Sequence, residues 1–197
     1  MLDKNLYILG AGGHASVVYE LLLAQAMTVS GFIADECLSD VIAKSGIPLI
    51  SESIFLQSQN ADKASLVNGI GIQPHNLNRW QLSLNFENAG FDFQTITHPF
   101  SYISPSRHFG RGVQLFAGAV VQGNVHIGPH SIVNSSASID HDVTIGENCH
   151  IAPGVTICGN VQIGNHVFIG AGSVIANNIQ IADYSFIKAG SIVKNNM

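Results

Sequence analysis

The sequence predicts an α/β unit on a small parallel sheet, followed by a parallel β-helix of about five coils. Three observations carry this prediction. An apolar residue recurs at every sixth position of the second half, a glycine turn joins a strand to a helix near the start, and prolines mark the join between the two patterns. The hexad runs Ile103, Phe109, Leu115, Val121, Ile127, Val133, Ile139, Ile145, Ile151, Ile157, Ile163, Ile169, Ile175, Ile181, Ile187 and Val193. In a chain that is 46% hydrophobic, such a run arises by chance on the order of a few times in a million. Period six fits neither a helix nor a lone strand, but it fits three short strands per turn of a coil.

The elements follow in order. Residues 5–9 read as a buried strand, 10–13 as a glycine turn, and 14–25 as a helix with Val17, Val18, Leu21 and Leu22 on one side. Residues 29–34 read as a second strand ending in Asp35 and Glu36, 65–72 as a third, 76–89 as a helix and 91–96 as a fourth strand. Alternation of this kind implies parallel strands covered by helices. The expected organisation is therefore a βαβ domain over residues 1–96, a junction over 97–106 held out of helix by Pro99 and Pro105, and the coil over 107–197. Within the coil, small or β-branched residues stand two places before each hexad position, and Gly110, Gly128, Gly146, Gly164 and Gly170 stand one place after. Large corners with small neighbours suit the narrow interior of a triangular prism.

Composition excludes several classes of function. Mean hydropathy is +0.28, yet no apolar run is long enough to span a bilayer. Residues 1–96 hold four Lys/Arg against nine Asp/Glu, and residues 97–197 hold four of each, so there is no basic stripe for nucleic acid. A phosphorylated ligand would be met largely by backbone N–H groups. The opening MLDKNLYILGAGG carries an acid and runs straight into a strand, unlike a secretory signal. With only Cys37, Cys149 and Cys158, a reducing, cytoplasmic setting is expected.

Gly10-Ala11-Gly12-Gly13-His14-Ala15 satisfies G-x-G-x-x-A between a strand and a helix, with Asp35 at the end of the next strand. The glycines let a pyrophosphate approach the helix N-terminus. A full dinucleotide fold needs two such halves, and this half-Rossmann unit has room for one, so a nucleotide sugar fits better than NAD. A tight turn without a ligand is the alternative. His14, directly after the turn, is placed either to touch a phosphate or to cover the surface.

Stacking the coil in eighteens aligns Gly123-Asn124, His141-Asp142 and Gly159-Asn160. Gly-Asn suits a tight turn because both residues tolerate positive φ. His is a poorer choice there, so something other than turn chemistry selects His141. Glycines above and below would leave room for a ligand beside the imidazole, and the adjoining carboxylate would raise its pKa and fix its tautomer. A solvated turn residue is the competing reading. His126, His130 and His166 read as surface or intersubunit residues, and His150 lies on another part of the prism from His141. No His pair has ligand spacing backed by Cys or a carboxylate, so no metal is expected. Cys149 and Cys158 read as small buried hydrophobes rather than acyl carriers.

The hexad marks the hexapeptide acyltransferases at large. With GAGGHASVV, THPFSYISPS and IDHDVTIGENCHIAPGVTICGNVQIG, the whole chain resembles the nucleotide-amino-sugar N-acetyltransferases of bacterial glycan pathways, of the bacillosamine and perosamine type. Their relatives, the sialic-acid O-acetyltransferases, share these motifs. The resemblance implies a left-handed β-helix, a homotrimer and acetyl-CoA as co-substrate, without a metal. It implies His141 as catalytic base, with Asp142 as the acid that tunes it. Relatives often carry Glu at the second position, so here the shorter Asp must reach the ring. His150 would contact acetyl-CoA, Gly159 would lie near the thioester, and Ala171 and Ala189 would pack on the pantetheine arm. Gly12, Gly13, His14 and Asp35 match the nucleotide-sugar loop.

The expected function is acetyl transfer to the amine of a nucleotide-linked 4-amino-4,6-dideoxy sugar, a UDP sugar first, in surface-glycan synthesis. O-acetylation of a sialic acid or another glycan hydroxyl needs the same His and stands as the alternative. A non-catalytic scaffold would have no use for His-Asp in a Gly-Asn column, and an NAD-binding regulator would bind NADH in place of a sugar nucleotide.

Overall fold

The computed structural model describes residues 4–197, and the chain divides into two compact units. The first holds residues 4–71 and 77–94; the second holds Ile72–Asn76 and Thr95–Met197. Residues 1–3 of the opening peptide lie outside the described residues.

The first unit is a five-stranded parallel sheet. Its strands are β1 (Asn5–Leu9), β2 (Val29–Ile33), β3 (Leu49–Ile50), β4 (Ala64–Asn68) and β5 (Asp92–Phe93), in the order β3-β2-β1-β4-β5. The helices are α1 (Gly13–Ala24), α2 (Asp40–Lys44), α3 (Glu52–Ser58) and α4 (Asn78–Asn88). The core gathers Tyr7, Leu9, Ile33, Phe55, Leu66, Phe86, Phe91 and Phe93. The sequence had suggested four strands and two helices; β3, α2 and α3 are additional. The third strand was expected to run to residue 72, but it stops at Asn68, whose side-chain oxygen accepts from the Ile70 N–H at 2.8 Å. Gly69 then passes so close to the sheet and α1 that a Cβ would stand 2.6 Å from Ile8 and 2.7 Å from Ala15.

The expected fourth strand, 91–96, is divided between the units. Asp92–Phe93 pairs with β4, whereas Ile96–Thr97 is β6, the first strand of the prism. Thr95 ties this crossing to the coil, its hydroxyl donating to the Gly110 carbonyl at 2.8 Å and accepting from the Val113 N–H at 3.2 Å. The segment expected as a junction, 97–106, is thus already part of the first coil, with β7 at Tyr102–Ile103.

The second unit is a parallel β-helix of seventeen two-residue strands, β6 to β22 (Ile192–Val193), in three sheets of six, five and six strands. Pairing keeps a strict eighteen-residue register, as in Val121↔Ile139, Ile139↔Ile157 and Ile157↔Ile175. The hexad points inward and is buried, with Ile103 and Phe109 partly buried at the N-terminal end. The small column, from Val113 through Ala119 to Val167, fills the rest of the interior. Gly128 shows why glycine follows the hexad: a Cβ there would stand 2.6 Å from the Gly146 backbone of the next coil. Among the described residues no helix is long and apolar enough to cross a membrane.

Candidate active site

Each corner of the prism is a two-residue turn, and its second residue carries the positive φ: 58° at Asn124, 61° at Asp142, 59° at Asn160 and 61° at Asn178 along one edge. This corrects the expectation that His is a poorer choice than Gly at the first turn position. Gly123, His141 and Gly159 have ordinary φ, so His141 costs no strain. Asp142 occupies the left-handed position instead, which Asn and Asp tolerate through their short polar side chains.

The glycine at the first position has a different purpose. The imidazole of His141 lies on Gly159, where a Cβ would stand 2.9 Å from Cε1 and 3.0 Å from Nε2. The space over Gly159 is therefore taken by the ring rather than left for a ligand. Gly123 faces the coil below, where a Cβ would approach the Ser106 hydroxyl at 3.2 Å.

Asp142 reaches the ring. Its Oδ2 lies 2.7 Å from His141 Nδ1, and its Oδ1 accepts from Asn124 Nδ2 at 2.7 Å. Asp140 Oδ1 accepts the His141 backbone N–H at 2.8 Å and sets the turn. A carboxylate only accepts, so Nδ1 of the neutral ring carries the proton and Nε2 keeps its lone pair. The bond to Asp142, aided by the charge of Asp140, raises the His141 pKa above its ordinary value. The Asn124 amide and then the His141 bond hold the Asp142 pKa below its ordinary value. Both side chains are open to solvent in the single chain, His141 at 63% and Asp142 at 49%.

The other expected coenzyme residues lie elsewhere on the prism. His150 sits on the face across from the His141 edge, 8% exposed, with Nε2 3.4 Å from Asn134 Nδ2 and its ring 4.8 Å from that of Phe168. Ala171 and Ala189 lie exposed at corners bordering that same face. One chain thus brings Gly159 to His141 but does not bring His150, Ala171 or Ala189 to it. Asn134 beside His150 was missed; stacking in eighteens places it with Phe116 and Ala152, but nothing in the sequence marks it as polar for a purpose.

Of the three histidines read as surface or intersubunit residues, two are covered within the single chain. His130 is fully buried and takes φ 58° at the second position of its corner. His166, half-buried, meets Asn148 at 3.2 Å and stacks on Tyr184 at 4.8 Å. Of these three, His126 alone is exposed, stacked on His108 at 4.5 Å. Cys149 is buried and desolvation pushes its thiol up to about 12, which leaves it inert.

In the first unit the glycine loop follows β1, the sheet's central strand, at the point where the strand order reverses toward β4, the usual place for a ligand in such sheets. Gly12 is the N-cap of the twelve-residue α1; no side chain caps it and no acid lies in its first turn. A Cβ at Gly12 or Gly13 would meet nothing within 4 Å, so this backbone is open to an approaching ligand. His14 is half-buried against Gly71 of the loop after β4, and Asp35 is exposed just beyond β2.

That second loop is shaped by residues the sequence did not single out. Arg79, 2% exposed on α4, donates from Nε to the Ile70 carbonyl at 2.7 Å. Asn68 Nδ2 donates to Ser83 Oγ at 2.8 Å, and that hydroxyl donates to the Arg79 carbonyl at 2.9 Å. Burial lowers the Arg79 pKa to about 9, which still leaves the guanidinium charged at neutral pH.

Residues 5–84 match the PglD N-terminal domain family, and residues 160–195 match the bacterial transferase hexapeptide family. Among solved structures, PerB from Caulobacter crescentus, in complex with CoA and GDP-perosamine, is 30% identical over 98% of this chain and 90% of that chain, with a TM-score of 0.88. The acetyltransferase domain of PglB from Neisseria gonorrhoeae, in complex with acetyl coenzyme A, is 30% identical over 99% of this chain and 93% of that chain, with a TM-score of 0.89. WeeI from Acinetobacter baumannii shares the fold at 23% identity and a TM-score of 0.75, over 98% of this chain and 97% of that chain. Among curated proteins, no sequence matches.

Proposed function

The chain belongs to the left-handed β-helix sugar N-acetyltransferases, and from that membership we propose that it acetylates the amino group of a nucleotide-linked 4-amino sugar with acetyl-CoA. The observation that carries this reading is the His141–Asp142 pair. It is a polarised imidazole, with Nε2 available as a base, on a prism whose relatives bind CoA.

His141 Nε2 takes a proton from the sugar amine as its nitrogen attacks the thioester carbonyl. The N–C bond forms, the C–S bond breaks, and CoA leaves as a thiolate that takes up the proton. The Gly159 backbone N–H is our candidate donor to the oxyanion, a contribution typically worth about 3 kcal/mol in the transition state. The open loop Gly12–Gly13, with His14 and Asp35, holds the nucleotide, its diphosphate against the N-terminus of α1. His150, Ala171 and Ala189 hold the coenzyme.

The placement of these groups on different parts of the prism supports a site completed by two copies, in keeping with the homotrimer that the resemblance implies. His141, exposed in one chain, would be shielded from water by its neighbour. The three free cysteines suit a cytoplasmic enzyme drawing on the acetyl-CoA pool.

The test is CoA thiol release from acetyl-CoA with UDP-, dTDP- and GDP-linked 4-amino sugars, and with free sialic acid. Release with at least one nucleotide amino sugar, together with an N-acetyl product, is expected. Release with sialic acid alone would replace N-acetylation by O-acetylation.

A further inference from the structure

Asn124 occupies the same prism edge as His141 and Asp142, one coil below. Its backbone N–H donates to the Ser106 carbonyl at 3.0 Å, and its amide Nδ2 donates to Asp142 Oδ1 at 2.7 Å. The amide orientation follows from chemistry, because Oδ1 of Asn124 facing a carboxylate would set acceptor against acceptor. Two coils above, Asn160 Nδ2 donates to Asn178 Oδ1 at 2.8 Å, so the side-chain bond between successive coils recurs there with an amide as acceptor. At Asp142 this bonding ends, because a carboxylate cannot pass a proton donor onward. Its two oxygens are divided between the Asn124 amide and His141 Nδ1.

We infer that Asn124 is a positioning residue for catalysis: it pins Asp142 Oδ1 so that Oδ2 stays on His141 Nδ1, making a three-member relay across two coils. The inference rests on the proposed role of His141 as base. Asn124 touches neither the ring nor any reacting atom, and acts through the carboxylate alone. Its amide also favours the charged carboxylate, which keeps Asp142 an acceptor throughout the working pH range. With the amide gone, the Asp142 side chain is free to rotate away and His141 is free to take the other tautomer.

Asn124→Gly tests this cleanly, because glycine accepts φ 58° without strain. The expected result is a kcat about tenfold lower, part of the roughly 10²–10⁴-fold that general-base catalysis contributes, with KM for both substrates unchanged. Asn124→Asp faces one carboxylate with another, and a shared proton then restores the donor as pH falls. Its kcat relative to wild type at the same pH should therefore rise toward acid. Asn178→Gly, the control in the same column, should leave kcat unchanged. Nitrogen-15 spectra, with the His141 signal assigned by its loss in His141→Gln, should show one Nδ1–H tautomer in wild type and a mixture in Asn124→Gly.

Wild-type kcat with a single tautomer in Asn124→Gly would overturn the inference. So would an Asn124→Asp activity ratio that stays flat with pH. If His141→Ala retains full activity, the reading of His141 as base fails instead, and the tautomer measurement still decides the role of Asn124.

Discussion

The imidazole of His141 lies against Gly159 of the next coil, so close that a single methyl group on Gly159 would stand 2.9 Å from Cε1. The glycine is therefore part of the site's shape. Because Gly159 has ordinary φ, Gly159→Ala adds bulk without backbone strain. Turnover should drop about tenfold or more as the ring is pushed off its bond to Asp142, while Tm moves by only a few degrees. Steady-state kinetics and a thermal melt on the same sample check this.

Activity should fall as pH drops through the His141 pKa, which lies above the ordinary 6.5, because only the neutral ring serves as base. Asp142→Asn should move that acid limb downward. For stability the signs differ between partners. The His141 contribution is complete below 6.5 and is lost as pH rises through its raised pKa. The Asp142 contribution is complete above 3.8 and is lost as pH falls through its depressed value. The Tm gap between wild type and Asp142→Asn should therefore be widest between 3.8 and 6.5 and narrow on the alkaline side.

At the nucleotide loop, Gly12→Ala separates binding from folding. The added Cβ meets nothing within 4 Å, so Tm should hold. The methyl group would intrude where a diphosphate approaches the backbone, and KM for the sugar nucleotide should rise about tenfold, with KM for acetyl-CoA unchanged. Isothermal titration with the nucleotide alone gives the same comparison without turnover.

Arg79→Met removes a buried donor and leaves the Ile70 carbonyl without its 2.7 Å partner. A loss of about 2–3 kcal/mol is expected in denaturant unfolding. The loop after β4 should loosen, so weaker nucleotide binding should accompany the loss.

The coil was legible because its geometry repeats. Each inward position faces the same interior, so burial writes the hexad into the sequence, and the eighteen-residue register follows from it. That register also placed His141 and Asp142 together at one corner. It misjudged the corner's first position, because Gly and Asn both tolerate positive φ and only the structure shows that the second residue alone adopts it. In the first unit α2 and α3 span five and seven residues, too short for apolar periodicity to stand out. The Ser51 hydroxyl, which accepts from the Ile54 N–H at 3.4 Å, was the available start signal for α3. The Asn68–Ser83–Arg79 network was unreadable, because its meaning arises only when β4 and α4 pack together.

The most direct test of the account is His141→Ala, assayed by CoA release with a nucleotide amino sugar that the wild type acetylates. Turnover should fall on the order of 10²-fold or more, with acetyl-CoA binding nearly intact. Turnover within about threefold of wild type would contradict the assignment of His141 as the base.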